Sequence, residues 1–166
     1  MAKNLELNIV LGAAVASAIS GMSQVANALK NTTKSVKEFE KENTKVLALS
    51  RSYTKKSQQG NVTYISFDIS KEKSIQRLVS FLKEQNIFLD IVINNAGKLV
   101  NASFERLSSY YLRQIFEVNV LGVFRLLQCL IPFFSEKVHV VNISSMGGIQ
   151  GAMKFAGLSA YTSSKA

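Results

Sequence analysis

The sequence predicts an α/β chain built as a doubly wound, mostly parallel sheet, and three observations predict it. Short apolar segments of strand length alternate with longer segments of helical periodicity, the signature of βαβ units. Polar clusters recur where the predicted strands end, which is where open α/β sheets bind ligands. The 166-residue chain is 47% apolar with one proline, enough for one domain with a real core and little loop.

The elements run in order along the chain. "LNIVLGA" (7–13) is a candidate first strand. Val15, Ala18, Met22, Val25, Leu29, Thr32, Val36 and Phe39 then step by three and four, an apolar seam on one helix face. This predicts a long basic amphipathic helix from about Ser20 to Lys41, with Lys30, Lys34, Lys37 and Lys41 off the seam. "TKVLALS" (44–50) and "NVTYISFDIS" (61–70) are strands. Lys71 to Gln85 is a helix, with Ile75, Leu78, Val79 and Leu82 on one face and Ser70 as its N-cap. "LDIVINNAG" (89–97) is a strand ending in a turn. Ser108 to about Ile131 is a long helix stopped near Pro132, burying Leu112, Ile115, Phe116, Val123, Leu126, Leu127 and Leu130. "KVHVVNISS" (137–145) is another strand, a glycine-containing loop comes after it, and a last helix starts at Ser159. Two segments result: an atypical head, 1–43, and an α/β domain, 44–166.

Composition narrows the function. With one cysteine (Cys129) and one histidine (His139), no internal disulfide and no Cys/His metal site can form. Net charge is +9. Residues 30–56 carry eight bases against three acids, which reads first as a solvated face and otherwise as a phosphate pocket or a nucleic-acid patch. No aromatic interleaving or nucleic-acid motif accompanies the charge, so no nucleic-acid partner is expected. Residues 9–22 are uncharged but too short to span a bilayer. Ala26-Asn27-Ala28 has the form of a signal-cleavage site, but Glu6 and the weak hydrophobicity of the run argue against one. The expectation is a cytoplasmic protein without a membrane segment.

The chemistry-bearing residues lie at predicted strand ends: Ser50-Arg51, Asp68, Asn94-Asn95-Ala96-Gly97 and Ser144-Ser145. Asn119 falls on the buried stripe of the long helix, four after Ile115 and four before Val123. An unpartnered buried amide costs about 1–3 kcal/mol, so Asn119 is either satisfied structurally or kept for function. Tyr161 and Lys165, at i and i+4, share one helix face. A phenol ordinarily titrates near 10, and a close ammonium favours its phenolate form.

"DIVINNAG", "VNVLG", "VNISSMGG" and "YTSSK", in this order and spacing, resemble the short-chain dehydrogenase/reductase family over roughly residues 44–166. The resemblance implies a Rossmann-like fold that binds NAD or NADP and transfers hydride between nicotinamide and a small alcohol or carbonyl substrate. It implies Tyr161 as general acid/base, and Lys165 as the residue that lowers its pKa and holds the nicotinamide ribose. Ser145 polarises the substrate carbonyl, and Asn119 positions a water in the proton relay. Asn94, Asn95, Ala96 and Gly97 form the turn beside the adenosine half of the cofactor, and Asp68 binds the adenine amino group. The second strand ends in Ser50-Arg51 with no acid, and an arginine suits a 2′-phosphate, so NADP is expected over NAD. Members are often homo-oligomers.

Two departures stand out. The family's turn Thr-Gly-x-x-x-Gly-x-Gly is missing: Gly12 and Gly21 are nine apart, and Ser23 stands where a glycine belongs. Up to about residue 36 the head loosely resembles the start of a phage tail tape-measure protein. Family members also continue beyond the Tyr161–Lys165 helix, whereas this sequence stops one residue after Lys165, so it reads as a truncated sheet and an incomplete chain. Ser145 and Tyr161 are 16 apart, a few residues more than the family pattern. The alternative to an oxidoreductase is a non-catalytic remnant or interaction protein on the same scaffold.

Overall fold

The computed structural model describes residues 9–12, 45–53 and 56–166. The head helix expected from about 20 to 41 lies outside the described residues.

Among the described residues six strands form one sheet in the order β3-β4-β2-β1-β5-β6. The strands are β1 (Ile9–Gly12), β2 (Val46–Ser50), β3 (Ser57–Gln59), β4 (Val62–Ser66), β5 (Leu89–Asn94) and β6 (Phe134–Asn142). β1 sits in the middle, parallel to β2 on one side and β5 on the other, with Gly12 opposite Leu49 and Leu11 opposite Ile93. The candidate first strand in the head is therefore the central strand of the sheet. Chain order reverses around it, so β1, β2 and β5 end at a topological switch point, where a crevice opens beyond their carboxyl ends.

β3 is the one antiparallel member and was not expected. Its sequence, Ser-Gln-Gln, is polar and exposed, without the apolar alternation that marks a strand. It forms by pairing with β4 across a turn in which Gly60 adopts φ +56, a conformation glycine takes without a Cβ clash. β4 ends at Ser66 rather than at 70, and β6 begins at Phe134, before 137.

Helix α1 (Glu72–Glu84) buries Ile75, Leu78 and Leu82 against the sheet. Its N-cap is Lys71, not Ser70. The Ser70 N–H and hydroxyl both donate to Asp68 Oδ1 (3.0 and 2.7 Å), an Asx turn that diverts the serine from capping.

The long helix runs as α2 (Ser109–Phe116), a π-helical segment at Glu117–Leu121, and α3 (Gly122–Leu130). Ser108 caps α2 by accepting from the Tyr111 N–H. Ile115, Val118, Leu126 and Leu130 are buried, but Leu112 is 41% exposed, contrary to the stripe. Leu112 lies in a shallow apolar groove with Phe104, Leu107 and Phe116 rather than under the sheet. By length and composition Ser109–Phe133 also suffices to cross a membrane, although a third of that window is buried against the rest of the fold. A short helix, α4 (Ser159–Ser164), closes the described chain.

The main core joins Leu47, Leu49, Phe67, Ile75, Leu78, Leu82, Leu89, Val92, Leu126 and Leu130 on the α1/α3 face. Val46, Ala48 and Val62 form a smaller cluster on the other face.

Candidate active site

The site is assembled at the carboxyl edge of the sheet. β2 ends in Ser50, whose hydroxyl lies 2.6 Å from that of Ser52 and accepts the Ser52 N–H, turning the chain and leaving Arg51 exposed. Among the described residues Arg51 makes no ion pair. A crevice beside it is lined by Leu49, Ser50, Arg51, Phe67, Asp68, Ala96, Gly97 and Val118. The predicted residues Ser50, Arg51, Asp68, Ala96 and Gly97 thus share one cleft. Gly12 ends β1 on the same edge, and residues 13–44 lie outside the described ones.

Asn94 is placed differently. It closes β5, nearly buried, and its Nδ2 donates to Asn142 Oδ1 at 2.8 Å, while its carbonyl accepts the Ile143 N–H at 3.0 Å. It therefore ties β5 to the end of β6. Asn95 is half-buried at the start of the turn.

Asn119 lies in the π segment, 8% exposed, and is satisfied on both sides of its amide. Oδ1 accepts the Lys98 N–H at 2.6 Å. Nδ2 donates to the Lys98 carbonyl at 3.0 Å and to Ser164 Oγ at 2.8 Å. One side chain thus clamps the loop after β5 and α4 to the long helix. A π turn puts an extra residue into a helical turn, which aims Asn119 across the stripe instead of leaving it stranded there. Lys98 and Ser164 were not singled out from sequence. Their only signal was the amide on an apolar stripe, which demanded partners without naming them.

Gly97 marks the convergence. A Cβ built there would have Asn119 Oδ1 and the Lys165 Cε and Nζ at 3.8 Å each. The Lys165 ammonium donates to the Ile143 carbonyl at 2.7 Å, and burial lowers its pKa below the usual lysine value. Ser144 Oγ donates to the Lys165 carbonyl. Ser145 caps the turn after β6 by accepting the Gly147 N–H at 3.3 Å. Tyr161 is half-buried on α4, and its hydroxyl makes no hydrogen bond among the described residues. Ser144 bonds Lys165, Asn119 and Lys165 approach each other around Gly97, and Ser145 and Tyr161 lie on the adjoining turn and helix.

Among the described residues no group of three or more His, Cys, Asp or Glu side chains is placed to hold a metal. Ala96 and Gly97 contribute small residues to the lining of the cleft, and exposed Arg51 lines it too. That lining fits the adenosine half of a nicotinamide dinucleotide.

A family model for short chain dehydrogenases matches residues 13–166, starting well upstream of residue 44, where the motif-bearing segment begins. The Bacillus subtilis oxidoreductase YusZ is 34% identical over 104 residues, covering 60% of this chain and 35% of that protein. The L-fucose dehydrogenase of Mus musculus is 36% identical over 90 residues, covering 53% of this chain and 33% of that one. Among solved structures, the short-chain dehydrogenase/reductase of Serratia marcescens superposes with a TM-score of 0.71 at 23% identity, covering 96% of this chain and 66% of the other. The matches to the two curated relatives span about a third of their length.

Proposed function

The chain belongs to the short-chain dehydrogenase family, and from that premise we propose an NADP(H)-dependent oxidoreductase acting on a small alcohol or carbonyl compound. The observation that carries the proposal is the cluster at Gly97, where Asn119, the loop after β5 and Lys165 meet beside the cleft that ends at Arg51. Bound nicotinamide supplies or accepts the hydride at the substrate carbon.

The chain's own residues do the rest. In the reducing direction the Tyr161 hydroxyl gives its proton to the carbonyl oxygen, and in the oxidising direction the phenolate takes the alcohol proton. The Lys165 ammonium, held by the Ile143 carbonyl, would carry a donor toward the cofactor ribose. The Ser145 hydroxyl donates to the substrate oxygen. Asn119 acts as a positioning residue, because its amide is spent on Lys98 and Ser164. Asp68, fixed by Ser70, would hold the adenine amino group, and Arg51 would pair with a 2′-phosphate.

The setting that accords with this reading is a soluble cytoplasmic protein with a homo-oligomeric partner surface. Its one cysteine, Cys129, is a free, exposed thiol. The test is turnover of a ketone panel with NADPH by the chain and by Tyr161→Phe. The expected result is turnover in the parent and loss of at least about a hundredfold in the variant with NADPH affinity unchanged. Equal rates in the two proteins would refute the assignment of Tyr161.

A further inference from the structure

We infer that Ser164 is a positioning residue for the reaction: its hydroxyl sets α4, and with it Tyr161 and Lys165, against the long helix. The inference rests on the oxidoreductase reading for what α4 does, but not for how α4 is held. α4 is only six residues long, Ser159–Ser164, and its N-cap, Leu158, makes no side-chain capping bond. A helix of that length does not persist on its own propensity. Within it only Ala160 and Ser164 are buried. Ala160 brings a single methyl group, so Ser164, at 7% exposure, is the polar anchor of the helix.

Two bonds meet at the Ser164 hydroxyl. Asn119 Nδ2 donates to Oγ at 2.8 Å, and Oγ donates to the Tyr161 carbonyl at 2.7 Å. The direction of this chain is fixed at its far end. The Lys98 N–H donates to Asn119 Oδ1, and the Lys98 carbonyl accepts from Asn119 Nδ2, so the amide has one orientation that satisfies both. The Ser164 oxygen therefore accepts from Asn119, and its one proton goes to Tyr161. The Tyr161 carbonyl needs that proton. A regular helical turn would give it the Lys165 N–H, but that N–H goes to the Thr162 carbonyl at 3.1 Å. Ser163 shows the ordinary alternative, because its exposed hydroxyl bonds back to the Ser159 carbonyl within the same helix at 2.9 Å. Ser164 instead joins α4 to the long helix, from the position between Tyr161 and Lys165. Alanine there would remove both bonds, whereas threonine keeps a hydroxyl that accepts and donates.

Two measurements on the 166-residue chain, Ser164→Ala and Ser164→Thr test this. The first needs neither cofactor nor substrate: an NMR titration of the Lys165 Cε signal. Burial holds the Lys165 ammonium below the usual lysine value in the parent. In Ser164→Ala it should titrate nearer that value, in Ser164→Thr as in the parent, with Lys137 unmoved throughout. Neither substitution changes a charge, so the shift reports position. The second is turnover of a ketone panel with NADPH. The expected kcat is lower by about tenfold or more in Ser164→Ala and close to the parent's in Ser164→Thr. An unmoved Lys165 midpoint in Ser164→Ala, or equal effects in the two variants, would overturn the inference. A shifted Lys165 midpoint together with no turnover in the parent would sink the oxidoreductase reading and leave Ser164 standing as the residue that places α4.

Discussion

The two flanks of the sheet are held together by different forces. On the β2–β4 side all five residues of β2 are buried, and α1 packs Leu78 and Leu82, at 1% and 0% exposure, into one cluster with Leu47 and Leu49. On the β6 side none of the nine strand residues is buried, and Val140 and Ile143 stand in solvent. There the position of α4 depends on polar contacts: Ser144 to the Lys165 carbonyl, Lys165 to the Ile143 carbonyl, and Asn119 to Ser164. Hydrophobic burial is non-directional and tolerant of small shifts, whereas a hydrogen-bond cluster depends on each of its atoms. The flank proposed to hold the adenosine is therefore built for stability, and the flank proposed for chemistry is built for position.

The largest effect is expected where burial dominates. Leu82→Ala removes a side chain with no exposure and should cost about 2–5 kcal/mol of unfolding free energy in a urea titration. A loss below about 1 kcal/mol would erase the contrast. Next comes Gly148→Ala. A Cβ there would lie 2.6 Å from the Lys165 carbonyl carbon and 2.9 Å from the Ala166 nitrogen, so backbone must move. The expected cost is about 1–3 kcal/mol, with faster hydrogen exchange confined to α4 and the 144–149 turn. Asn119→Ala should cost about 1–3 kcal/mol by leaving the Lys98 main chain and Ser164 without their partner, again with faster exchange on the β6 flank alone.

Lys165 sharpens the comparison through pH. Its folded-state pKa is lowered by burial, so between that value and the ordinary 10.5 the unfolded chain binds more protons. The penalty for the buried charge is complete below the folded pKa and is relieved as pH rises toward 10.5. Any stability advantage of Lys165→Met over the parent should accordingly be largest at neutral pH and shrink in alkali, as read by paired urea midpoints. A pH-independent difference would remove the burial argument. The smallest effect belongs to the open edge: Val140→Thr should shift stability by no more than about 0.5 kcal/mol.

Much of this was legible in the sequence because period and composition report burial. β2, β5, α1 and the 109–130 helix were foreseen from apolar runs, and β1 from "IVLG" in an otherwise atypical head. β3 was not, because a polar edge strand pairs through main chain that leaves no side-chain pattern. Ser70 misled because a serine before a helix can bond backward, to Asp68, as readily as forward. At the site, Tyr161, Lys165 and Ser145 were proposed through motif resemblance. The clamp of Asn119 on Lys98 and Ser164 spans 21 and 45 residues, a separation that neither periodicity nor motif encodes. Asn94 shows the converse. It was assigned to the cofactor turn, and its side chain instead bonds Asn142 across the strand ends.

The cleft between Arg51, Asp68 and Gly97 is proposed to take a nicotinamide cofactor with a ribose 2′-phosphate. The most direct measurement is a fluorescence titration of the folded chain with NADPH and, in parallel, NADH, repeated on Arg51→Ala. The account predicts saturable binding, tighter for NADPH, with that preference reduced about tenfold or more in the variant. No saturable binding, or equal affinity for the two cofactors in the parent, would contradict it.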